Sequence, residues 1–142
     1  MKNEIYKQLT LALDIAKKAH EKQKDKAGVD YIYHPITVAL LCEKPEEKIV
    51  ALLHDVVEDT DISFDFLEAK GFSKEVIDAL KLVTHIKNEK VLDIHEEYRN
   101  YIKKLKASKN EIAINVKIAD LTNNSDLTRT NGIKSLKYED YI

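Results

Sequence analysis

Apolar side chains recur every three or four residues along most of this chain, which is the spacing of one face of an α-helix. The first such stretch covers residues 3 to about 22, where lysines and other polar residues separate six apolar positions: Ile5, Leu9, Ala12, Leu13, Ala16 and Ala19. Residues 25–30 are predicted to form a loop, with Gly28 giving the backbone freedom to turn. A second helix is predicted to begin near Pro35, because proline suits the first helical turn.

The middle of the chain carries its most apolar run. Residues 43–47 break the second helix and start a third, and residues 49–57 are nearly all apolar except for His54 and Asp55. We predict a buried central helix here, although periodicity alone also permits a strand. Two further helices are predicted to begin at the caps Ser63 and Ser73, with Gly71 ending the first of them.

Two more helices are predicted in the last third of the chain. Residues 96–107 form a charged helix after a connection at residues 88–93, and residues 110–121 carry alternating apolar positions that also fit a strand. A helix is favoured for the second segment, because the chain offers no other convincing strand to pair with it. The polar tail after Arg129 is left unassigned. The pattern as a whole predicts an all-α fold.

Length and composition fit one domain over residues 1–142. A chain of 142 residues can bury roughly 70% of the surface that it exposes when unfolded. Its 44% hydrophobic residues, with aliphatics spread along the whole length, exclude a disordered protein. Three glycines and two prolines are too few for the many tight turns of a β-sandwich or barrel.

Charge and cysteine content exclude several classes of partner. With 23 basic and 25 acidic residues, the net charge of −2 gives no electrostatic footprint for nucleic acid or an anionic membrane. The single cysteine, Cys42, cannot form a disulfide within the chain. The sequence has no apolar run near ~20 residues and no signal-peptide core at its start, so a cytoplasmic protein is expected. The oligomeric state is left open.

Residues 53–60, LHDVVEDT, hold the most informative polar side chains. On a helix, His54 lies four residues before Glu58, and Asp55 lies three and four residues before Glu58 and Asp59, so all four side chains share a limited arc. Grouped carboxylates raise one another's pKa on a half-buried surface, and a divalent cation removes that penalty. Nitrogen and oxygen donors without thiolate suit Mn²⁺, Fe²⁺, Mg²⁺ or Zn²⁺. The alternative is a solvated helix end, which the helix dipole disfavours for acids at a C-terminus.

Two distant residues complete a four-ligand set. His34 precedes a proline and Asp120 ends the apolar stretch at residues 116–120, and each alone is more simply explained as a turn, core or capping residue. Together with His54 and Asp55 they supply two imidazoles and two carboxylates from three helices. Such a set leaves coordination positions for water and substrate.

The order His34 … His54-Asp55 … Asp120 resembles the metal-binding signature of the HD-domain phosphohydrolase superfamily. Four stretches make the chain most similar to the hydrolase domain of RelA/SpoT-type enzymes and to stand-alone small alarmone hydrolases. They are YIYHPITVA at residues 31–39, ALLHDVVEDT at 51–60, VT at 83–84 and VKIADLTNN at 116–124. The similarity runs from about residue 20 to residue 129.

The resemblance implies a compact HD-domain helical bundle with a metal site between helices. It also implies a Mn²⁺-dependent hydrolase that removes the 3′-pyrophosphate from guanosine tetra- or pentaphosphate, so that a small nucleotide is the expected partner. The implied metal ligands are His34, His54, Asp55 and Asp120.

Other positions match residues that the family uses around the metal. Glu58 and Asp59 match the acidic pair that orients or deprotonates the attacking water. Lys26 matches a basic residue near the substrate phosphates, and Asn124 matches a residue that touches the nucleoside. The chain departs from the family at Asp25, where many members have an arginine that helps to hold guanosine, so the base preference can differ.

Two other classes of function stay open beside the alarmone hydrolase. One is a different HD-type nucleotide phosphohydrolase, such as a 5′-nucleotidase, or a nucleotide-binding sensor with little turnover. The other is a helical interaction protein without metal. Among the remaining histidines, His20 is expected to be solvated or to cap a helix end, and His85 and His95 are expected on the surface. Tyr98 and Tyr101 are expected to pack.

Overall fold

The computed structural model describes residues 2–85 and 93–125, and within these ranges the chain forms eight helices and no strand. In chain order the helices are α1 (Lys2–Ala19), α2 (Tyr33–Leu41), α3 (Pro45–Leu53), α4 (Val56–Asp59), α5 (Phe64–Ala69), α6 (Lys74–Val83), α7 (Ile94–Ala107) and α8 (Glu111–Asn124). Lys24 and Asp30 form an isolated β-bridge across the predicted loop. The predicted all-α fold is therefore confirmed for the described residues.

Helix α3 is the centre of the bundle. It packs against α1, α2, α6 and α8. Its Ile49, Val50, Ala51 and Leu53 are fully buried. Apolar residues on every side are typical of a helix inside a core, because no face is left for water. Helices α2 and α8, which carry His34 and Asp120, therefore pack against one buried helix.

The predicted central helix over residues 49–57 is interrupted. Helix α3 ends at Leu53, and a single helical turn, α4, begins at Val56. The physical reason lies in His54, whose Nδ1 contacts the Ala51 carbonyl oxygen. A continuous helix would pair that carbonyl with the N–H of Asp55, so the imidazole competes with the helical hydrogen bond. The prediction of one continuous helix is wrong at this point.

The predicted helix starts at the two serines are confirmed. Ser63 and Ser73 each accept a hydrogen bond from the backbone N–H three residues later. Gly71, which has a φ of +97°, follows α5. Asn110 caps α8 by accepting from the Ala113 N–H at 3.0 Å, and the helix rather than the strand is confirmed there.

Other predictions have mixed outcomes. Helix α1 ends at Ala19, three residues earlier than predicted, and a turn follows. Most of the predicted connection at residues 88–93 and the whole tail after Arg129 lie outside the described residues. No helix within the described ranges is long and apolar enough to cross a membrane. The single domain over residues 1–142 and the cytoplasmic location stay predictions.

Candidate metal centre

Four buried polar side chains from three parts of the bundle converge beside α3. His34 lies in the first turn of α2, His54 and Asp55 lie in the turn between α3 and α4, and Asp120 lies in α8. Each residue is less than a tenth exposed. The structure thus brings together the four residues named from the sequence, and their role as metal ligands stays a prediction.

The nitrogen and oxygen atoms of this cluster lie within contact of one another. The Nε2 atoms of His34 and His54 lie 2.9 and 3.2 Å from Oδ1 of Asp120. Oδ2 of Asp55 lies 3.1 Å from Nε2 of His54 and 3.6 Å from Nε2 of His34. His34, His54 and Asp120 can each present one ligand atom within 4.8 Å of the others. Asp55 adjoins this group of three through its contacts with both imidazoles.

Hydrogen bonds on the far side of each imidazole determine which nitrogen faces the cluster. Nδ1 of His34 lies 2.6 Å from Oδ1 of Asn123, and Nδ1 of His54 contacts the Ala51 carbonyl. Both partners are acceptors, so each Nδ1 carries the proton and each Nε2 is directed at the carboxylates. Asn123 is buried. Its role is not apparent from the sequence, where a polar residue near a helix end is more simply read as a cap.

Charges within the cluster compensate one another. Burial opposes protonation of His54, but Asp55 and Asp120 outweigh it and raise the pKa of His54 well above 6.5. Burial also opposes ionisation of the two acids. His54 nevertheless lowers the pKa of Asp55 to about 2, and His54 and Lys117 hold the pKa of Asp120 well below its usual range. Both acids are therefore kept ionised by nearby positive charge.

A divalent cation fits this donor set. When Nδ1 is protonated on both rings, the two Nε2 atoms and the two carboxylates direct lone pairs at one another unless a proton or a metal ion lies between them. Nitrogen and oxygen donors without thiolate suit Mn²⁺, Fe²⁺, Mg²⁺ or Zn²⁺. The residues present therefore support a centre for a divalent metal.

The single turn α4 places Glu58 and Asp59 at the rim of the cluster. Glu58 accepts a hydrogen bond from the His85 N–H, and the Asp59 carbonyl accepts one from the Gln23 side chain at 3.4 Å. Glu58 is exposed as a residue, but protein atoms crowd its carboxylate. This desolvation and the charge of Asp55 raise the pKa of Glu58 to about 7, against the opposing effect of the His85 N–H. A carboxylate with a pKa near neutrality is suited to accept a proton from water.

Two histidines expected at the surface are instead packed against aromatic rings. The ring of His85 stacks on Tyr101 with a centroid distance of 4.7 Å. His20 is only 1% exposed, and its ring lies 5.0 Å from that of Tyr31. The expected solvent exposure is therefore wrong for both side chains, because tertiary packing covers residues whose sequence neighbours are polar. The third histidine, His95, is exposed as predicted.

The two predicted substrate residues occupy different surroundings. Nδ2 of Asn124 donates to Oδ1 of Asp120 at 3.1 Å, so Asn124 contacts the cluster directly. Lys26 is exposed in the loop at residues 25–30. Asp25 holds that loop, because its Oδ1 accepts hydrogen bonds from the N–H groups of Ala27 and Val29 at 2.9 and 3.0 Å.

Residues 12–124 match the model of the HD domain family. The chain belongs to the HD domain family. The resemblance carried by the two histidines and two aspartates is thereby confirmed, together with the HD-type helical bundle.

This HD domain is similar in sequence to RelA/SpoT-type hydrolases, as its motifs predicted. It is 36% identical over 124 residues to the bifunctional (p)ppGpp synthase/hydrolase SpoT of Escherichia coli K12, covering 83% of this chain and 18% of the relative. It is 38% identical over 101 residues to the guanosine-3′,5′-bis(diphosphate) 3′-pyrophosphohydrolase of Aquifex aeolicus, covering 68% and 14%. The HD domain therefore spans less than a fifth of the length of these relatives.

A solved structure extends the comparison to the fold. It is described as a metazoan ortholog of SpoT that hydrolyzes ppGpp, and it matches with a TM-score of 0.71 and 31% identity. The match covers 94% of this HD domain chain and 79% of that chain. The similarity thus extends over nearly the whole bundle.

Tyr31 forms a hydrogen bond with Asp55 in the candidate metal centre of this HD domain. Its hydroxyl donates to Oδ2 of Asp55 at 2.6 Å, the same oxygen that faces the imidazoles. Burial and the charge of Asp55 raise the pKa of Tyr31, so the phenol stays protonated and acts as the donor. Hydrogen-bond partners that orient a metal-ligating side chain typically contribute about 10- to 100-fold to metal affinity or activity. We expect Tyr31→Phe to weaken Mn²⁺ binding about tenfold, as measured by isothermal titration calorimetry.

Tyr33 provides the matched control for this change. It lies two residues away and is 58% exposed, so Tyr33→Phe should leave the Mn²⁺ affinity unchanged. Circular dichroism should show that both variants keep the helical content of the wild type. Equal affinities for wild type and Tyr31→Phe would contradict the assigned role of the hydroxyl.

Proposed function

We propose that this chain is a metal-dependent hydrolase that releases pyrophosphate from the 3′ position of guanosine 3′,5′-bis(diphosphate). The proposed metal is Mn²⁺, and the proposed ligands are His34, His54, Asp55 and Asp120. The observation that carries the proposal is the convergence of two imidazoles and two carboxylates beside Glu58, a carboxylate whose pKa is raised to about 7. The names of the similar proteins support the choice of substrate.

Hydrolysis of a phosphate ester requires charge neutralisation, positioning and one proton acceptor. A bound divalent ion supplies Lewis acidity toward a phosphoryl oxygen and acidifies water. Glu58 accepts the proton as a water oxygen attacks phosphorus, and Asp59 helps to orient that water from the next position of α4. The bond from phosphorus to the ribose 3′-oxygen breaks, and that oxygen gains a proton. One water is consumed, and the products are a nucleoside 5′-diphosphate and pyrophosphate.

Two residues outside the ligand set are proposed to hold the nucleotide. Asn124 contacts Asp120 at the edge of the cluster, and its amide suits a hydrogen bond to the nucleoside. Lys26 is exposed in a loop that begins beside α4, because Gln23 donates to the Asp59 carbonyl. Its ammonium suits the phosphates.

A second candidate is an HD-type phosphohydrolase or nucleotide sensor with another base preference. The observation that favours it is Asp25, which stands where many members of the family have a guanosine-binding arginine. Its carboxylate is engaged by the backbone of its own loop. A carboxylate in that position does not reproduce the donors of a guanidinium.

The experiment is a panel of nucleotides assayed with and without Mn²⁺, with products resolved by chromatography. The panel contains guanosine 3′,5′-bis(diphosphate), its adenosine counterpart, GTP and deoxynucleoside monophosphates. We expect pyrophosphate and GDP from the first substrate only when Mn²⁺ is present. A chelator added to the same reaction should stop the release of both products.

Other product patterns distinguish the alternatives. Release of inorganic phosphate from deoxynucleotides, without pyrophosphate from the guanosine substrate, would identify a nucleotidase. Micromolar nucleotide binding without turnover would identify a sensor. Protein without bound metal that neither binds nor hydrolyses nucleotides would favour the helical interaction protein. The expected absence of nucleic-acid and membrane partners stays a prediction.

A further inference from the structure

The two oxygens of Asp120 have different partners. Oδ1 faces the cluster, where it contacts Nε2 of His34, Nε2 of His54 and Nδ2 of Asn124 at 2.9 to 3.2 Å. Oδ2 forms an ion pair with the ammonium group of Lys117, which lies 3.0 Å away and one helical turn earlier on α8. One oxygen is therefore directed at the cluster and the other is held by a lysine.

Lys117 is not an ordinary solvated lysine. Its side chain is only 12% exposed. Its Nζ lies 5.4 and 5.3 Å from the ring centroids of Tyr98 and Tyr101, within the range of cation–π attraction. Tyr101 is itself fixed, because its hydroxyl donates to the Val83 carbonyl. The ammonium is thus held between two aromatic faces and one carboxylate oxygen.

An oxygen that is already paired with a buried ammonium is less available to a metal ion. A carboxylate with one free oxygen binds in a monodentate way, whereas a carboxylate with two free oxygens can bind in a bidentate way. Ca²⁺ takes six to eight oxygens and accepts bidentate carboxylates in flexible geometry, whereas Mg²⁺ requires a near-ideal octahedron. Octahedral oxygen sites suit Mn²⁺ as well as Mg²⁺. Whether Oδ2 of Asp120 is free or paired therefore affects which ions the site binds more tightly.

We propose that Lys117 is a positioning residue that keeps Oδ2 of Asp120 occupied, so that only Oδ1 is offered and Mn²⁺ is favoured over Ca²⁺. This inference rests on the proposed metal site and deepens it. Two tyrosines of α7 and the carboxylate of Asp120 together hold the ammonium of Lys117 in place.

The test measures the dissociation constants of Mn²⁺ and Ca²⁺ by calorimetry on the full metal-free chain. Lys117→Met keeps an unbranched apolar side chain that is one atom shorter and removes the charge. Removing that charge favours both dications alike, so the ratio of the two constants isolates the change in carboxylate geometry. We expect Lys117→Met to shift this ratio about tenfold toward Ca²⁺. Lys117→Arg, which restores a cationic donor, should return the ratio toward that of the wild type.

Controls separate this inference from the proposed function. Lys103→Met, an exposed lysine on α7, should leave the ratio unchanged. If wild type binds neither ion, the metal site itself is overturned and this inference with it. If wild type binds Mn²⁺ and the folded Lys117→Met protein has the same ratio, only the inference is overturned. If Lys117→Met does not fold, Lys117→Gln is measured instead, and an unchanged ratio there also overturns the inference.

Discussion

Asp55→Ala is expected to abolish divalent-metal binding and hydrolysis together. Its carboxylate contacts both imidazoles of the cluster and accepts a hydrogen bond from Tyr31, so the substitution removes one of the two carboxylates that face the imidazoles. A metal ion in a hydrolase typically supplies several kcal/mol of transition-state stabilisation, which corresponds to a loss of about a thousandfold or more in kcat. The measurements are metal content by elemental analysis and kcat with added Mn²⁺.

The control for this change is a neighbouring acid outside the cluster. Asp61 is exposed just beyond α4, and Asp61→Ala should keep both metal and rate. Asp55→Asn preserves the volume of the buried side chain and guards against a simple loss of packing. If folded Asp55→Ala kept stoichiometric metal and normal kcat, His34, His54 and Asp120 alone would have to account for the site.

The fold was largely predictable because most helices show the apolar spacing of a helix within their own stretch of sequence. The caps Ser63 and Ser73 and the apolar run of α3 could be recognised without any partner in view. The break after Leu53 could not, because it depends on an imidazole that takes a backbone carbonyl from its own helix. Periodicity describes which residues face the core, and it does not describe such competition.

The candidate site was predictable only in part. Spacing pointed to the group at residues 54–59, but the place of His34 and Asp120 beside it followed from the family resemblance, since 86 positions separate the two residues. The roles of Asn123 and Lys117 could not be predicted, because they depend on which side chains of other helices lie beside α8 in the folded bundle. A polar residue gives no sign in sequence that its partner lies on a distant helix.

Glu58→Gln is expected to retain Mn²⁺ and to lose rate. The amide matches the carboxylate in size and its oxygen can still accept the His85 N–H, so α4 should keep its place. It cannot accept a proton from water. Removal of a general base typically costs about 10²- to 10⁴-fold in kcat. Glu68→Gln, an exposed change on α5, is the matched control and should have no effect.

The pH dependence of kcat distinguishes this role from a structural one. A base must be deprotonated to act, and desolvation and Asp55 raise the pKa of Glu58 to about 7 in the absence of metal. A dication bound in the adjacent cluster favours the ionised carboxylate and lowers that pKa. We therefore expect the wild-type kcat to fall tenfold per pH unit on an acid limb at or below pH 7, and to level off above it. Glu58→Gln should lack this limb, because the titrating group is gone. A variant that kept full kcat, or that lost rate but kept the same limb, would assign proton transfer to another group, with Asp59 the first to examine.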